Sequence, residues 1–549
     1  MAMGEHGWIR RGVARGLMAI GFAALAVLAA ETSSAQSLPP GFRVGHGTAT
    51  AIMPAQMPLS TGPQLTSAEL QEMREKMEAL REAAERKYGR ALPAVQNPAG
   101  NPAIAPVRIV SAAAPPISAD SLLIGRNERN AIAATSGSLA EPAAINNRSR
   151  VFYAGNFHFE SSKNHGVSYT AAAIPAGPPD APDFCCDNDM AVDPATGIAI
   201  HIAVYGRAAG DNAPIVVFIR DPSDYGAIKC TFVFDTAGNA DNEVDDFPKI
   251  GLSRNDVYIS AAVNVTSGTK SSFSRMFRID KAALIACGNP GFTFFDQDWT
   301  VEGQRVWRPA GGAEQSPVMM WAHSIDATHM RVFKWPESAG APINFVRPVA
   351  ATTFAAQSCK GGVGKFDYYE GAFPAGFTTS CAFATGVDQS FPVLACYNES
   401  APMANRPQAF LRGTVFRASN STLISEPDLF SNDICLGFPA MSANARGDIG
   451  FSLAGGGNVA GTGSAVQGLV GLTTPSGTEI ATVAGGIANQ ASNRFGDYFT
   501  IHRYNGCTNF FGATAYAWDR APVKDGRGIN ARWVEFGRYG DAPCWQSHQ

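Results

Sequence analysis

Charge is what this sequence has least of. Only 16% of its 549 residues are Asp, Glu, Lys or Arg, and 43 basic against 47 acidic residues leave a net charge of −4. A chain without a basic excess has no electrostatic footprint for nucleic acid. Long apolar runs are scarce as well. After Leu17–Ala30 none is long enough to cross a membrane, so no span is expected once a leader is removed. Several short catalytic signatures are missing: no His-Glu-x-x-His pair, no Gly-x-Ser-x-Gly nucleophile turn and no phosphate-binding loop. His201, His323, His329 and His502 are scattered, so no zinc site is expected.

What is present begins with an export pattern. Arg10, Arg11 and Arg15 precede the apolar run, and Ser33-Ser34-Ala35 offers small residues for cleavage. Residues 1–35 therefore read as a signal peptide, with a mature N-terminus near Gln36. An exported, periplasmic or cell-surface chain with ten cysteines suits up to five disulfides. Short loop closure favours Cys230 with Cys287 and Cys359 with Cys381. The adjacent Cys185 and Cys186 are expected to bond two different partners. Residues 36–120 read as a stalk. Thr66-Ser67-Ala68-Glu69 is a capping box, and Leu70, Met73, Met77, Leu80 and Ala84 share one face of a helix over 67–88. An Ala- and Pro-rich linker follows, up to residue 120.

The chain holds 56 Gly and 35 Pro, and from residue 121 those present punctuate short β-rich runs. A recurring strand start is visible at Pro142, Met190, Pro248, Pro309, Pro392, Pro439 and Asp497. The spacing is 47–61 residues, save 83 between Pro309 and Pro392, where an insertion within 355–385 is expected. Each start leads into runs such as Ile198–Val204 with Ile215–Ile219, or Asp256–Ala261 with Phe273–Ile279. Blades of four antiparallel strands repeat at this period. The sequence thus predicts an all-β fold, a β-propeller over 121–549. Seven blades are favoured, with six if one start is false. Two β-sandwiches explain the recurrence less well. Arg532-Trp533-Val534-Glu535-Phe536 is the candidate for closing the ring.

Ser162-Lys163-Asn164-His165-Gly166-Val167-Ser168-Tyr169 resembles the Asp box of sialidase-like secreted propellers, a Ser-x-Asp-x-Gly-x-Thr-Trp hairpin. Ser162 and Gly166 match; Asn164, Ser168 and Tyr169 replace Asp, Thr and Trp. The stretch Arg494–Tyr498 is similar to that superfamily as well. The resemblance implies a structural turn whose polar side chain bonds backbone amides, and it bears on fold before activity. In sialidases it would imply an arginine triad, a Tyr–Glu nucleophile pair and an Asp acid/base. Phe277-Arg278-Ile279-Asp280 is similar to the family's Phe/Tyr-Arg-Ile-Pro signature but departs at the last position, and an ordinary strand running into a turn accounts for it.

Two acid clusters stand at the second and third strand starts: Asp183, Asp187, Asp189 and Asp193, then Asp235, Asp241, Glu243, Asp245 and Asp246. Hard oxygen ligands of this kind suit Ca²⁺, although solvated turns are the simpler expectation. First strands of a propeller begin on one face. Asp187, Asp189, Asp246, Arg308, Asp388, Arg494 and Asp497 are therefore expected around one axial mouth, suited to a polar ligand. No catalytic residue is assigned. The expectation is an exported, non-catalytic propeller binding a glycan, peptide or surface protein, the alternative being a sialidase-like glycoside hydrolase.

Overall fold

In the strands Ala199–Gly206 and Ile215–Asp221 the residues facing both sides of the sheet are buried, with Ile200, Ile202 and Val217 on one side and Tyr205, Val216 and Phe218 on the other. The apolar pattern is continuous, not alternating, because each sheet is covered on both faces by a neighbouring sheet. Burying a Val, Ile or Phe side chain contributes about 1.5–3 kcal/mol, and blade-to-blade packing is where this chain places most of them. A computed structural model describes residues 40–53, 106–113, 116–130, 141–156, 158–177, 183–206, 213–234, 243–266, 271–303, 305–350, 379–403, 405–457, 465–486, 495–496, 498–517 and 529–549, with Ala79, Ala83, Arg86, Lys87, Thr352 and Cys359.

Seven sheets result, arranged as a β-propeller. Blade 1 comprises Ala143–Asn147, Arg150–Gly155, His158–Ser162 and Thr170–Ala172, and blade 2 comprises Asp183–Val192, Ala199–Gly206, Ile215–Asp221 and Asp224–Phe234. Blade 3 runs Glu243–Leu252, Asp256–Val265, Phe273–Asp280 and Gly291–Asp298. Blade 4 pairs Val318–Asp326, His329–Pro336 and Ile343–Pro348, and the extended segment 305–311 takes its innermost place, where Ala310 N–H donates to Met320 O at 3.0 Å. Blade 5 starts at Ser380–Ala384, blade 6 at Cys435–Ala443 and blade 7 at Ile501–Arg503. First strands of neighbouring blades stand side by side, and the bridge between Gly311 and Ala382 is parallel.

The ring closes through the N-terminal side. Arg532–Arg538 is the third strand of blade 7, as the closing run predicted, but the fourth is Leu122–Arg129, which precedes blade 1 in the chain. Two stretches of the segment read as a stalk belong to the propeller instead. Phe42–Thr48 is a fifth strand on Gly291–Asp298 of blade 3, and Arg108–Ser111 pairs in parallel with Gly477–Ala484 of blade 6. Each covers an otherwise exposed sheet edge. The signal segment 1–35 lies outside the described residues, as does the 67–88 helix apart from four exposed helical positions, Ala79, Ala83, Arg86 and Lys87.

Four strand starts, at Met190, Pro248, Pro309 and Pro439, fall inside first strands or the inner segment of blade 4, and Pro142 immediately precedes one. Pro392 does not: it precedes Val393–Ser400, the second strand of blade 5, and the blade begins at Ser380. The long connection lies between Pro348 and Ser380, in the region expected to hold an insertion.

All ten cysteines are paired, a pattern of oxidising compartments. Cys230–Cys287 forms as predicted. Cys359 bonds Cys435, not Cys381, because the register of blade 5 sets Cys381 directly opposite Cys396, with Cα atoms 4.1 Å apart. Cys185 and Cys186 bond each other, against expectation, inside a bulge of the first strand of blade 2. Cys507–Cys544 ties the C-terminal helix Ala542–Gln546 to blade 7. No helix among the described residues is long and apolar enough to cross a membrane.

Candidate functional site

Three first strands carry a register break partway along: between Phe184 and Asn188, between Asp246 and Lys249, and between Gly437 and Ala440. At the second and third of these, Phe247 and Phe438 stand at φ 53° and 54°, each directly before a proline. A bulge frees backbone N–H groups from the ladder, and buried donors need partners. Carboxylates of the preceding blade supply them. Asp187 accepts from Phe247 N–H at 3.2 Å, Asp189 from Ile250 N–H at 3.1 Å and Glu399 from Phe438 N–H at 2.6 Å.

The bulges turn side chains onto the axis. Lys249 is 5% exposed, and its Nζ lies 3.2 Å from the Tyr498 ring centroid and 4.7 Å from that of Phe247. Nζ has no hydrogen-bond acceptor among the described residues. Burial pulls the ammonium down to about 8, with Arg308 adding to the fall and Asp189, Asp187 and Glu141 opposing it. Arg308 donates from Nη1 to Pro439 O at 2.9 Å and sits over Phe247 at 4.9 Å. Tyr498 accepts from Asn188 N–H at 3.1 Å, and burial holds its phenol far above its ordinary range. His502 is held below its ordinary value, chiefly by burial, and its Nε2 has no partner among the described residues.

Two cavities stack along the axis. The inner one is lined by Asp189, Lys249, Arg308, Ser380, Thr500 and His502, and holds about 440 Å³ of empty space, its opening included. The outer one holds about 640 Å³, open mouth included, among Val192, Leu252, Gly312, Glu314, Asn505 and Thr508. Ile250, Gly311 and His502 line both, so they form one channel. It opens where the first strands end, beside the exposed Gln315 and Thr508.

Asp187, Asp189 and Arg308 thus come together around Lys249, whose charge interacts with all three. Asp246 is half-buried and accepts from the N–H of Phe247 next to it at 2.9 Å. Asp388 is elsewhere. It follows the end of its first strand and pairs with Arg446 at 3.2 Å and Arg538 at 2.7 Å, because the strand start assigned to Pro392 belongs to a second strand. Arg494 and Asp497 lie outside the described residues.

The acid clusters are not solvated turns. Glu243 and Asp296 flank buried Arg275, Asp245 accepts from Ile215 N–H, and Asp193 bonds Thr196 and Lys281 Nζ at 3.0 Å. Asp235 and Asp241 lie outside the described residues. A Ca²⁺ site does not fit the channel carboxylates: each already serves a backbone amide, and a lysine stands beside them where a cation needs six to eight oxygens. Among the described residues no three His, Cys, Asp or Glu side chains are grouped to hold a metal. Arg278 donates to three carbonyls of blade 4 and Asp280 caps the helix Lys281–Ile285, an ordinary strand-to-helix turn. In the hairpin 162–169, Asn164 accepts from Ser168 N–H at 3.0 Å and Ser162 from Gly166 N–H at 2.9 Å.

Sequence reasoning missed Lys249, Tyr498 and Phe247, and saw His502 as scattered. A lysine directly after a strand-start proline, in Phe247-Pro248-Lys249-Ile250-Gly251-Leu252, was the available signal.

No family model matches the chain, and no curated protein matches it. Solved structures that the chain matches include a Penicillium chrysogenum α-L-arabinanase, 9% identical, covering 73% of this chain and 94% of its own, at a TM-score of 0.34. An α-L-arabinofuranosidase from Fusarium graminearum is 8% identical, covering 72% and 92%, at 0.37. The SapL1 lectin in complex with α-methyl fucoside is 12% identical, covering 63% and 97%, at 0.33. The chain folds as a seven-bladed β-propeller.

Proposed function

We propose that this exported propeller holds a polar, hydroxyl-rich ligand of the glycan class in its axial channel. The observation that carries the reading is the inner cavity. There Lys249 Nζ and His502 Nε2, each without a hydrogen-bond partner among the described residues, stand beside Arg308 and Asp189. Buried polar atoms without partners cost stability, and a ligand rich in oxygen acceptors and hydroxyl donors satisfies them.

Glycoside hydrolysis in the same channel is the second reading, favoured by Asp187 and Asp189. They lie two positions apart in the first strand of blade 2, Asp187 within its register break, and glycosidases work with a pair of carboxyl groups. Against it, both carboxylates already accept backbone amide protons, whereas a general acid must donate one. A sialidase-like site further needs three converging arginines. Among the described residues Arg308 lines the inner cavity, and Arg503 in the outer one donates to Gly312 O and Ala443 O.

The test is a glycan array probed with the purified chain, followed by incubation of each bound glycan and analysis for released sugar. Binding without product supports the first reading. Product formation that Asp187→Ala or Asp189→Ala abolishes supports the second. An array without binding or turnover of any glycan overturns both.

A further inference from the structure

We propose that Lys249 is a carbonyl-reactive amine that condenses with an aldehyde- or ketone-bearing ligand entering the axial channel. The inference rests on the channel admitting a small polar ligand. Most lysines place their ammonium in water or against a carboxylate, as Lys163 does with Asp224 and Lys281 with Asp193. Lys249 does neither. It is buried, lines a cavity, lies against two aromatic rings and is bonded to no acceptor among the described residues. A desolvated lysine in such surroundings gives up its proton readily and becomes a nucleophile. The groups facing it are Asp189, Asp187 and Glu141, which favour its proton, and Arg308 with the burial itself, which oppose it. The balance puts the amine near half-neutral at pH 8.

The step balances without an outside reagent. The Nζ lone pair attacks the carbonyl carbon, and a C–N bond forms as the C–O π bond breaks. A proton passes from nitrogen to the new oxyanion, giving a carbinolamine. The hydroxyl then leaves as water, taking one proton, while nitrogen loses its remaining transferable proton and the C–N double bond forms. His502 lines the same cavity, and its charge is coupled to that of Lys249. Its Nε2 is the group placed to carry the proton to the departing hydroxyl. An open-chain aldose meets both requirements of the channel, a reactive carbonyl at one end and hydroxyls along its length.

The experiment treats the full mature chain with D-erythrose and sodium cyanoborohydride. Hydride adds to the imine carbon and water supplies a proton to nitrogen, fixing a secondary amine. Peptide mass mapping then gives a labelling rate for each lysine. At pH 8 an amine of this kind has about 100-fold more neutral form than an ordinary lysine. Lys249 is therefore expected to label at least about 10-fold faster than Lys163 or Lys334, with a rate that levels off above pH 9 while theirs keeps rising. Lys249→Arg is expected to remove the fast-labelling site. The pH profile on the unaltered chain decides the matter if that variant does not fold. Labelling of Lys249 no faster than of Lys163, or with the same pH profile, overturns the proposal. Erythritol, which has no carbonyl, separates the two claims. If it raises Tm or slows labelling, the channel takes a polyol. If it does so while Lys249 stays unlabelled, the binding reading stands and the imine fails.

Discussion

Asp189 of blade 2 accepts a hydrogen bond from the backbone N–H of Ile250 in blade 3 at 3.1 Å, and its second oxygen accepts from Met190 N–H at 2.9 Å. One carboxylate therefore joins two first strands and sets its charge beside Lys249. Asp189→Ala leaves the Ile250 donor unpaired and removes a counter-charge from a buried ammonium. It is expected to cost about 2–4 kcal/mol. Asp189→Asn keeps an oxygen for Ile250 and is expected to cost less. Urea denaturation of both variants checks the order; equal, negligible losses would remove the inter-blade role.

Lys249 gives the fold a particular pH response. Its folded value, about 8, lies below the ordinary 10.5. Between the two, the unfolded chain binds more protons, so the Lys249 contribution to stability improves as pH rises through that window. Below pH 8 the cost of the buried charge is fully present, about 3 kcal/mol. Lys249→Met removes this dependence. Relative to the unaltered chain, the variant should fare worse at pH 10 than at pH 7, by up to that amount. A difference constant across this range would mean that Lys249 titrates normally.

Glu160 in blade 1 shows the opposite sign. Its carboxyl is buried among Tyr153, Tyr169 and His158, and burial pushes it up to about 7, against a smaller opposing effect from Asn130. His158 is itself driven down to about 3 by burial and stays neutral. Between pH 4.5 and 7 the folded chain holds a proton that the unfolded chain has lost, so this contribution falls as pH rises. Glu160→Gln is expected to stabilise the chain by about 2–3 kcal/mol at pH 8 and by little at pH 4. Thermal melts at the two pH values decide it; equal effects at both would contradict the burial of an ionising Glu160.

Closure depends on Leu122–Arg129, the fourth strand of blade 7. A chain starting at Ala131 loses it, together with the edge strands Phe42–Thr48 and Arg108–Ser111. Three open sheet edges invite pairing between molecules. Size-exclusion chromatography should show aggregates instead of the species formed by the longer chain. An unchanged elution profile and Tm would show that the ring does not need these strands.

The fold was legible because the chain repeats a strand start, and Pro142, Pro248 and Pro439 mark it. What the repeat hides is conformation. The residues before those prolines, Glu141, Phe247 and Phe438, take φ of 29°, 53° and 54°, whereas a pre-proline residue ordinarily prefers extended backbone. The bulges that turn Lys249 inward therefore leave a single local mark, a lysine directly after a strand-start proline. Phe391-Pro392 looks like Phe247-Pro248 in sequence yet opens a second strand, and that one shift misplaced Asp388. Leu122–Arg129 pairs with residues some 400 positions away, beyond any periodicity argument. Lys249 reads locally as a surface lysine; it is buried because seven first strands surround one axis.

The rim of the channel offers the most direct test of the axial site. Thr508 and Gln315 line the outer cavity, and both are exposed, so enlarging them should narrow the mouth without disturbing packing. The measurement is the affinity of the tightest array glycan for the unaltered chain, Thr508→Trp and Gln315→Trp, with Tm recorded for each. The axial-channel account predicts a loss of at least about 10-fold, or 1.4 kcal/mol, with Tm unchanged. Undiminished affinity in both variants would contradict it and move the ligand to another surface of the propeller.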